Sequence, residues 1–229
     1  MAADILAIGA HADDIEIGAG GTLYKQASAG QTIILCDLTL AELSSNGDVE
    51  TRKQEAERAR IRMGAKHRIN LDIPDRQIQL GTEQIGRLVR VIREWKPSII
   101  LAPYWEDRHP DHEWCSRLVR EAIFSAGIRK FAPEAGEPFK VSRFYHYFIN
   151  DFTDPDFCIN VTDVYDQKIH ILEAYESQFM PANGRVDTPL NTGYFEQIRS
   201  REYVFGRKIG KGFAEGFKSS APLSLDYLP

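Results

Sequence analysis

The sequence predicts an α/β fold, an open and mostly parallel sheet flanked by helices, and two observations carry that prediction. Short apolar runs at 5–8, 33–38, 69–73 and 99–102 alternate with stretches of helical character near 18–29, 48–63, 81–95 and 112–126. That alternation reads as repeated βα units, which build a parallel sheet with helices on both faces, a Rossmann-like arrangement of three layers, αβα.

The elements follow in order along the chain. Ile5-Leu6-Ala7-Ile8 is a buried strand, and the segment Gly18-Ala19-Gly20-Gly21-Thr22 opens the first helical stretch. Exposed amides at a helix start can bind phosphate. This segment lacks the phosphate-loop lysine and the full dinucleotide spacing, and it follows an acidic cluster, so close packing of the first helix explains its glycines better. Asp48 can cap the helix carrying Glu50, Arg52 and Glu55, and Pro97 ends the helix that closes on Trp95-Lys96. After the strand Ser98–Ala102 and its helix, the stretch 131–138 is a loop by its Pro and Gly content, and Phe144–Ile149 is aromatic enough for another strand. Val164–Tyr175 and Tyr194–Ile209 read as helices joined by the broken stretch Met180–Arg185. No internal repeat or low-complexity tract interrupts the pattern.

Composition narrows the class. A chain of 229 residues, 43% hydrophobic, suits one domain over 1–229 with a substantial core. The formal net charge of −5 provides no basic footprint for nucleic acid or an anionic membrane surface. No apolar stretch is long enough to span a bilayer, and Met1-Ala2-Ala3-Asp4 runs into a strand instead of a signal peptide, so the expected compartment is the cytoplasm. Cys36, Cys115 and Cys158 are odd in number and widely spaced, which fits buried reduced thiols and not a disulfide framework.

Two clusters carry the chemistry, His11-Ala12-Asp13-Asp14 and Arg108-His109-Pro110-Asp111-His112. Each follows a strand, at the sheet edge where open α/β folds bind ligands. Catalytic zinc takes imidazole nitrogen and carboxylate oxygen from three protein ligands and leaves a position for water, a requirement that His11, Asp14 and His112 meet. Iron or cobalt suits the same donors. Asp13 then remains as a general base that takes a proton from water and later delivers it to a departing amine. His109 lies one turn before His112 and can stabilise an oxyanion, with Asp111 to orient and charge it. Aspartates also cap helices and lone histidines are often ordinary hydrogen-bonding groups, but both clusters carry more charge and imidazole than a cap requires.

At these residues the chain resembles the PIG-L/LmbE-like family of zinc-dependent N-acetylglucosamine deacetylases, whose motifs have the form AHPDD and HPDH. Ala10–Asp14 and His109–His112 carry the match, and the likeness runs on through Glu16–Thr22, Asp37-Leu38-Thr39, Glu42-Leu43, Arg52 with Glu55, Asp107-Arg108, Tyr175–Phe179 and Ala214–Phe217. The later features are most similar to the branch that removes acetate from N-acetylglucosaminyl-malate in bacillithiol biosynthesis. The resemblance implies one Zn²⁺ per chain on His11, Asp14 and His112, Asp13 as base, His109 with Asp111 as an electrostatic pair, and a cytoplasmic homo-oligomer, up to a hexamer. It further implies that Arg52 contacts the sugar or its aglycone and that Tyr194 donates to the oxyanion. Arg52 can instead pair with Glu55, and Tyr194 can simply pack in the core. Arg108 suits a substrate carboxylate such as malate, or can hold its own loop through Glu106 or Asp107. Ala12 stands where the family usually has a proline that stiffens the ligand turn.

Other enzymatic outcomes share this centre, namely deacetylation of N-acetylglucosamine or chitin-type oligomers and amide hydrolysis of thiol conjugates. A metal-stabilised binding protein would need the ligands but neither Asp13 nor His109 and Asp111. A nucleotide-binding reading lacks a convincing phosphate loop.

Overall fold

The structure, a computed structural model, describes residues 2–223. Met1 and residues 224–229, part of the expected single domain, lie outside the described residues. Seven strands form one sheet in the order β3-β2-β1-β4-β5-β7-β6. They are β1 (Ile5–Gly9), β2 (Ile33–Thr39), β3 (His67–Ile73), β4 (Ile99–Pro103), β5 (Arg143–Tyr147), β6 (Phe157–Asn160) and β7 (Ala214–Ser219). The helices are α1 (Asp14–Ser28), α2 (Val49–Met63), α3 (Thr82–Trp95), α4 (Pro110–Ala126), α5 (Tyr165–Leu172), α6 (Glu176–Phe179) and α7 (Tyr194–Lys208).

Strands β1 to β5 pair in parallel, β1 with β2 and β4, β2 with β3, and β4 with β5. β7 then runs antiparallel between β5 and β6. The last two strands are the part of the sheet that the apolar pattern did not reveal. β6 offers only Phe157-Cys158-Ile159 before Asn160, and β7 is interrupted by Glu215 and Lys218, so neither presents a long apolar run.

Side chains alternate across the central strands as a two-residue period requires. Ile5, Ala7, Ile33 and Leu35 face a core with α1, α2, α5 and α7, whereas Leu6, Ile8, Ile34 and Cys36 face a second core with α3 and α4. Three layers result. α1 begins at Asp14, four residues before the expected helical stretch, so the first acidic cluster is itself the turn from β1 into the helix. Gly18 lies against Tyr147, where an added Cβ would come within 2.1 Å of the ring, and Gly21 meets Val161 at 3.0 Å. The glycines therefore serve close packing, as their setting in the sequence suggested. The amides of Gly21 and Thr22 donate to Glu215, and Lys168, fully buried, bonds Glu215, Glu202 and the Ile17 carbonyl.

The chain travels outward from β1 to β3 and returns to β4 on the other side of β1. That reversal opens a crevice between the carboxyl ends of β1 and β4, the place where doubly wound sheets take their ligands.

Candidate active site

The two motifs meet in this crevice. His11 through Asp14 form the turn after β1, and Asp107 through His112 lead from β4 into α4, whose first residues are Pro110 and Asp111. Asp14 folds back locally, accepting from the His11 amide at 2.9 Å. Its other oxygen lies 3.1 Å from His112 Nε2, and the oxygen facing His11 lies 3.6 Å from that residue's Nδ1. Two ligands at zinc-like bond lengths of roughly 2.0–2.1 Å in a tetrahedron lie about 3.3 Å apart, so these separations suit one shared cation. Nitrogens of His11, His109 and His112 also approach closely enough to hold a metal ion, with the His109 and His112 rings stacked at 4.7 Å.

The charges agree with that fit. Burial would lower His112, but the carboxylates of Asp14 and Asp107 raise it to about 9. Burial likewise opposes protonation of His11, and Asp111, Asp14 and Asp75 override it and hold its value well above the usual imidazole range. Asp14 is driven well below the ordinary carboxylate range, against burial, by His112 and His11. The cluster thus concentrates positive charge between carboxylates, and a cation with these ligands would displace protons from the imidazoles.

Each imidazole is also gripped from behind. His112 Nδ1 lies 2.9 Å from Asp107, and His11 Nε2 lies 3.2 Å from Asp75 and 3.5 Å from Asp111. Such outer carboxylates orient ligating histidines and raise their basicity. Asp75 had no part in the sequence reading. It follows β3 through Pro74, so the signal was there, a carboxylate beyond the carboxyl end of a third parallel strand, the one at the edge of the sheet.

Asp13 sits beside the cluster with its backbone at φ 125° and ψ −26°, a conformation that favours glycine. A non-glycine residue held there costs on the order of 1–3 kcal/mol, and such strain concentrates at functional sites. Burial pushes its carboxyl up to about 7, with Arg52 pulling the other way.

Arg52, buried on α2, donates to Asp13 Oδ2 at 3.0 Å, to the Ala12 carbonyl, and to Ser44 Oγ at 2.9 Å. It does not pair with Glu55, whose carboxylate takes the amide and hydroxyl of Ser177. Asp111 departs from its expected partner: its carboxylate accepts from the Arg76 amide at 3.0 Å and guanidinium at 2.9 Å. What reaches His109 is the Asp111 backbone amide, 3.2 Å from Nδ1. His109 is pushed down to about 4 by burial and by the neighbouring charges of His112 and His11. It is therefore a neutral imidazole at pH 7, and with Nδ1 accepting, its proton sits on Nε2.

Tyr194, at the start of α7, is buried with its hydroxyl 3.2 Å from the Ile149 carbonyl and 3.1 Å from Asn150 Oδ1. Arg108 is exposed. Its amide donates to Asp151 and its guanidinium to Asn150, and neither Glu106 nor Asp107 holds it. Of the site residues expected from sequence, all except Asp111 line one open cleft of about 330 Å³, whose outer wall includes Leu43, Arg76, Pro189 and Leu190. A volume of that size suits a small molecule. Asn150 also lines the cleft and was not foreseen from sequence.

Imidazoles and carboxylates gathered at the switch point of a mostly parallel sheet define an α/β enzyme with a hydrolase-type centre. The profile of the PIG-L family, GlcNAc-PI de-N-acetylase, matches residues 6–123, and the chain belongs to that family. It is similar to the diacetylchitobiose deacetylase of Thermococcus kodakarensis, 27% identical over 98% of this chain and 86% of that one. It is also similar to a probable N-acetyl-α-D-glucosaminyl L-malate deacetylase 2 of Bacillus cereus, 26% identical over 78% of this chain and 84% of the relative. Among solved structures, the conserved protein TT1542 from Thermus thermophilus superposes with a TM-score of 0.89 and 34% identity, covering 97% of both chains.

Proposed function

We propose that this chain, as one domain over 1–229, is a divalent-metal-dependent deacetylase that releases acetate from an N-acetylglucosamine-containing small molecule. The observation that carries the reading is Asp13, a buried carboxylate in a strained turn that touches the His/Asp cluster, has a value near neutrality, and faces the cleft.

In this reading His11, Asp14 and His112 hold the metal. Zinc is the first choice for such donors, with Fe²⁺ or Co²⁺ as alternatives. The bound ion supplies Lewis acidity, polarising the acetamide carbonyl and lowering the pKa of water. Asp13 would take the proton from the attacking water, hold it while the tetrahedral species forms, and pass it to the sugar nitrogen as the C–N bond breaks. A value near 7 suits a group that must act first as base and then as acid. His109 donates from Nε2 to the developing oxyanion as a neutral imidazole. Asp111 secures His11 and the Arg76 loop, and its amide fixes the His109 tautomer. Tyr194 is a second donor for the oxyanion. Arg52, which holds Asp13, would also contact the sugar or its aglycone.

The substrate we infer is N-acetylglucosaminyl-malate, converted to glucosaminyl-malate in bacillithiol biosynthesis. The exposed Arg108 guanidinium at the cleft supports it, because guanidinium pairs with carboxylate through two hydrogen bonds. The likeness to a diacetylchitobiose deacetylase favours short chitin-type oligomers as the alternative. Among the described residues no helix is long and apolar enough to cross a membrane. A cytoplasmic homo-oligomer, up to a hexamer, completes the reading.

The test is acetate release by the zinc-loaded protein from N-acetylglucosaminyl-malate, diacetylchitobiose and free N-acetylglucosamine, with Asp13→Asn alongside. Preference for the malate conjugate with a loss of about 10²–10⁴ in Asp13→Asn is expected. Faster turnover of diacetylchitobiose would move the substrate to chitin-type oligomers, and no turnover of any would sink the deacetylase reading.

A further inference from the structure

Between the candidate metal cluster and α7 lies an amide whose every polar atom is committed. Asn150 donates from its backbone to Asp107 Oδ2 at 2.9 Å and from Nδ2 to Asp107 Oδ1, also at 2.9 Å. On its other side Oδ1 accepts from Tyr194 Oη at 3.1 Å and from Arg108 Nη2 at 3.1 Å. Only one orientation of the amide satisfies this arrangement. Turned over, it would set its oxygen against a carboxylate and its N–H groups against a guanidinium. Asp107 passes the connection on, because Oδ1 lies 2.9 Å from His112 Nδ1, and His112 Nε2 in turn faces Asp14 at 3.1 Å.

We propose that Asn150 is a positioning residue that ties Tyr194 and Arg108 to His112 through Asp107. The inference rests on the site reading given above. The Asp107 side chain is only 2% exposed, so its orientation depends on the hydrogen bonds it receives, and two of them come from Asn150. Loss of the side-chain amide would remove the one side-chain donor that sets Asp107 Oδ1 against His112, leaving the backbone amides of His109, Asn150 and Asp151 to hold the carboxylate. Loosening an outer carboxylate that orients a metal-binding histidine typically costs 10–100-fold in metal affinity.

The other end of the amide governs the cleft. Tyr194 has one hydroxyl proton, shared between Asn150 Oδ1 and the Ile149 carbonyl, and to give it to a substrate oxygen it must release both. Arg108 remains on the same Oδ1 at that moment, so the acceptor is never left bare. When Arg108 turns toward a substrate anion, Tyr194 keeps the acceptor satisfied. Two cleft-facing donors thus share one acceptor, and the amide keeps both within reach. Neither an aspartate nor an apolar residue at this position reproduces the arrangement. An aspartate side chain would set a further carboxylate oxygen against Asp107, and an apolar side chain would abandon Tyr194 and Arg108 and keep only the backbone bond to Asp107.

The experiment measures zinc affinity by competition with a chromophoric chelator for Asn150→Asp, which keeps the shape, and Asn150→Ala, which removes the amide. Thermal melting of each variant checks the fold. Both are expected to bind zinc at least tenfold more weakly than the parent while melting cooperatively. A double-mutant cycle on kcat for acetate release follows: Tyr194→Phe is expected to cost about tenfold in the parent and less than twofold on the Asn150→Ala background. Zinc affinity within twofold of the parent in both variants, or a full additive loss in the cycle, overturns the proposal. If the parent releases no acetate, the deacetylase reading fails separately, and weakened zinc binding in the variants still supports the role of Asn150.

Discussion

The Arg52 guanidinium grips Asp13 at two levels, donating to the Asp13 carboxylate at 3.0 Å and to the carbonyl of Ala12, the residue before it. The arginine therefore holds both the charge and the strained backbone of the proposed base. Since Arg52 pulls the Asp13 value down against burial, removing the guanidinium lets it rise above about 7. A base must be ionised to act, so Arg52→Gln is expected to shift the acidic limb of the pH–rate profile toward alkaline pH and to reduce kcat at pH 7 by about 10–100-fold. Arg52→Lys should restore the position of the limb in part, as it keeps the charge but not the fork. A rise in KM with an unmoved profile would show that Arg52 acts on substrate alone.

Zinc loading should release protons. With His112 raised to about 9, its imidazole carries a proton at pH 7, the His11 imidazole is raised in the same direction, and a ligating imidazole must be neutral. Calorimetric titration in two buffers of different ionisation enthalpy is expected to show proton release at pH 7. Affinity should climb as pH rises toward 9. Binding without proton release would remove His112 from the ligand set.

His146 supplies a pH-dependent part of stability. Buried on β5 with Nδ1 bonded to the Pro103 carbonyl at 2.9 Å, it is pushed down by burial to about 4 from 6.5. The unfolded chain takes up a proton below pH 6.5, whereas the native chain resists until about 4. Its contribution is thus present above pH 6.5 and lost as pH falls through that interval, by on the order of 2–3 kcal/mol. Urea unfolding at pH 7 and pH 4.5 should show a smaller acid loss in His146→Gln than in the parent. Equal losses would refute the assignment.

Gly18 is where the first helix approaches Tyr147 of β5 most closely. Its missing Cβ would stand 2.1 Å from Tyr147 Cδ2 and 2.8 Å from the Phe148 carbonyl. Gly18→Ala is expected to destabilise by about 3 kcal/mol, because backbone on one side and a fully buried ring on the other leave no room to yield. The denaturation midpoint measures it. Gly20→Ala meets its nearest neighbour at 3.6 Å and should be nearly neutral.

What the sequence determined by itself was everything with a local signature. Apolar runs marked β1 to β4, and the alternation of the β1 and β2 side chains between two cores follows from strand geometry. Asp48 caps α2 through the Thr51 amide at 2.8 Å, as its position implied. His11, Asp13, Asp14, His109 and His112 could be singled out because a strand end delivers its loop to the same edge of the sheet wherever that strand lies. Tertiary structure alone decided the pairings between loops. It placed Asp75 behind His11, turned Asp111 toward Arg76, brought Arg52 from α2 onto Asp13, and set Asn150 between Asp107 and Tyr194. None of these has a spacing rule, since each joins elements 35 or more residues apart whose meeting depends on strand order. The antiparallel pair β6 and β7 escaped for a related reason. Their short, mixed-polarity segments become strands by completing the hydrogen bonds of a neighbour, and that neighbour exists only once the sheet has formed.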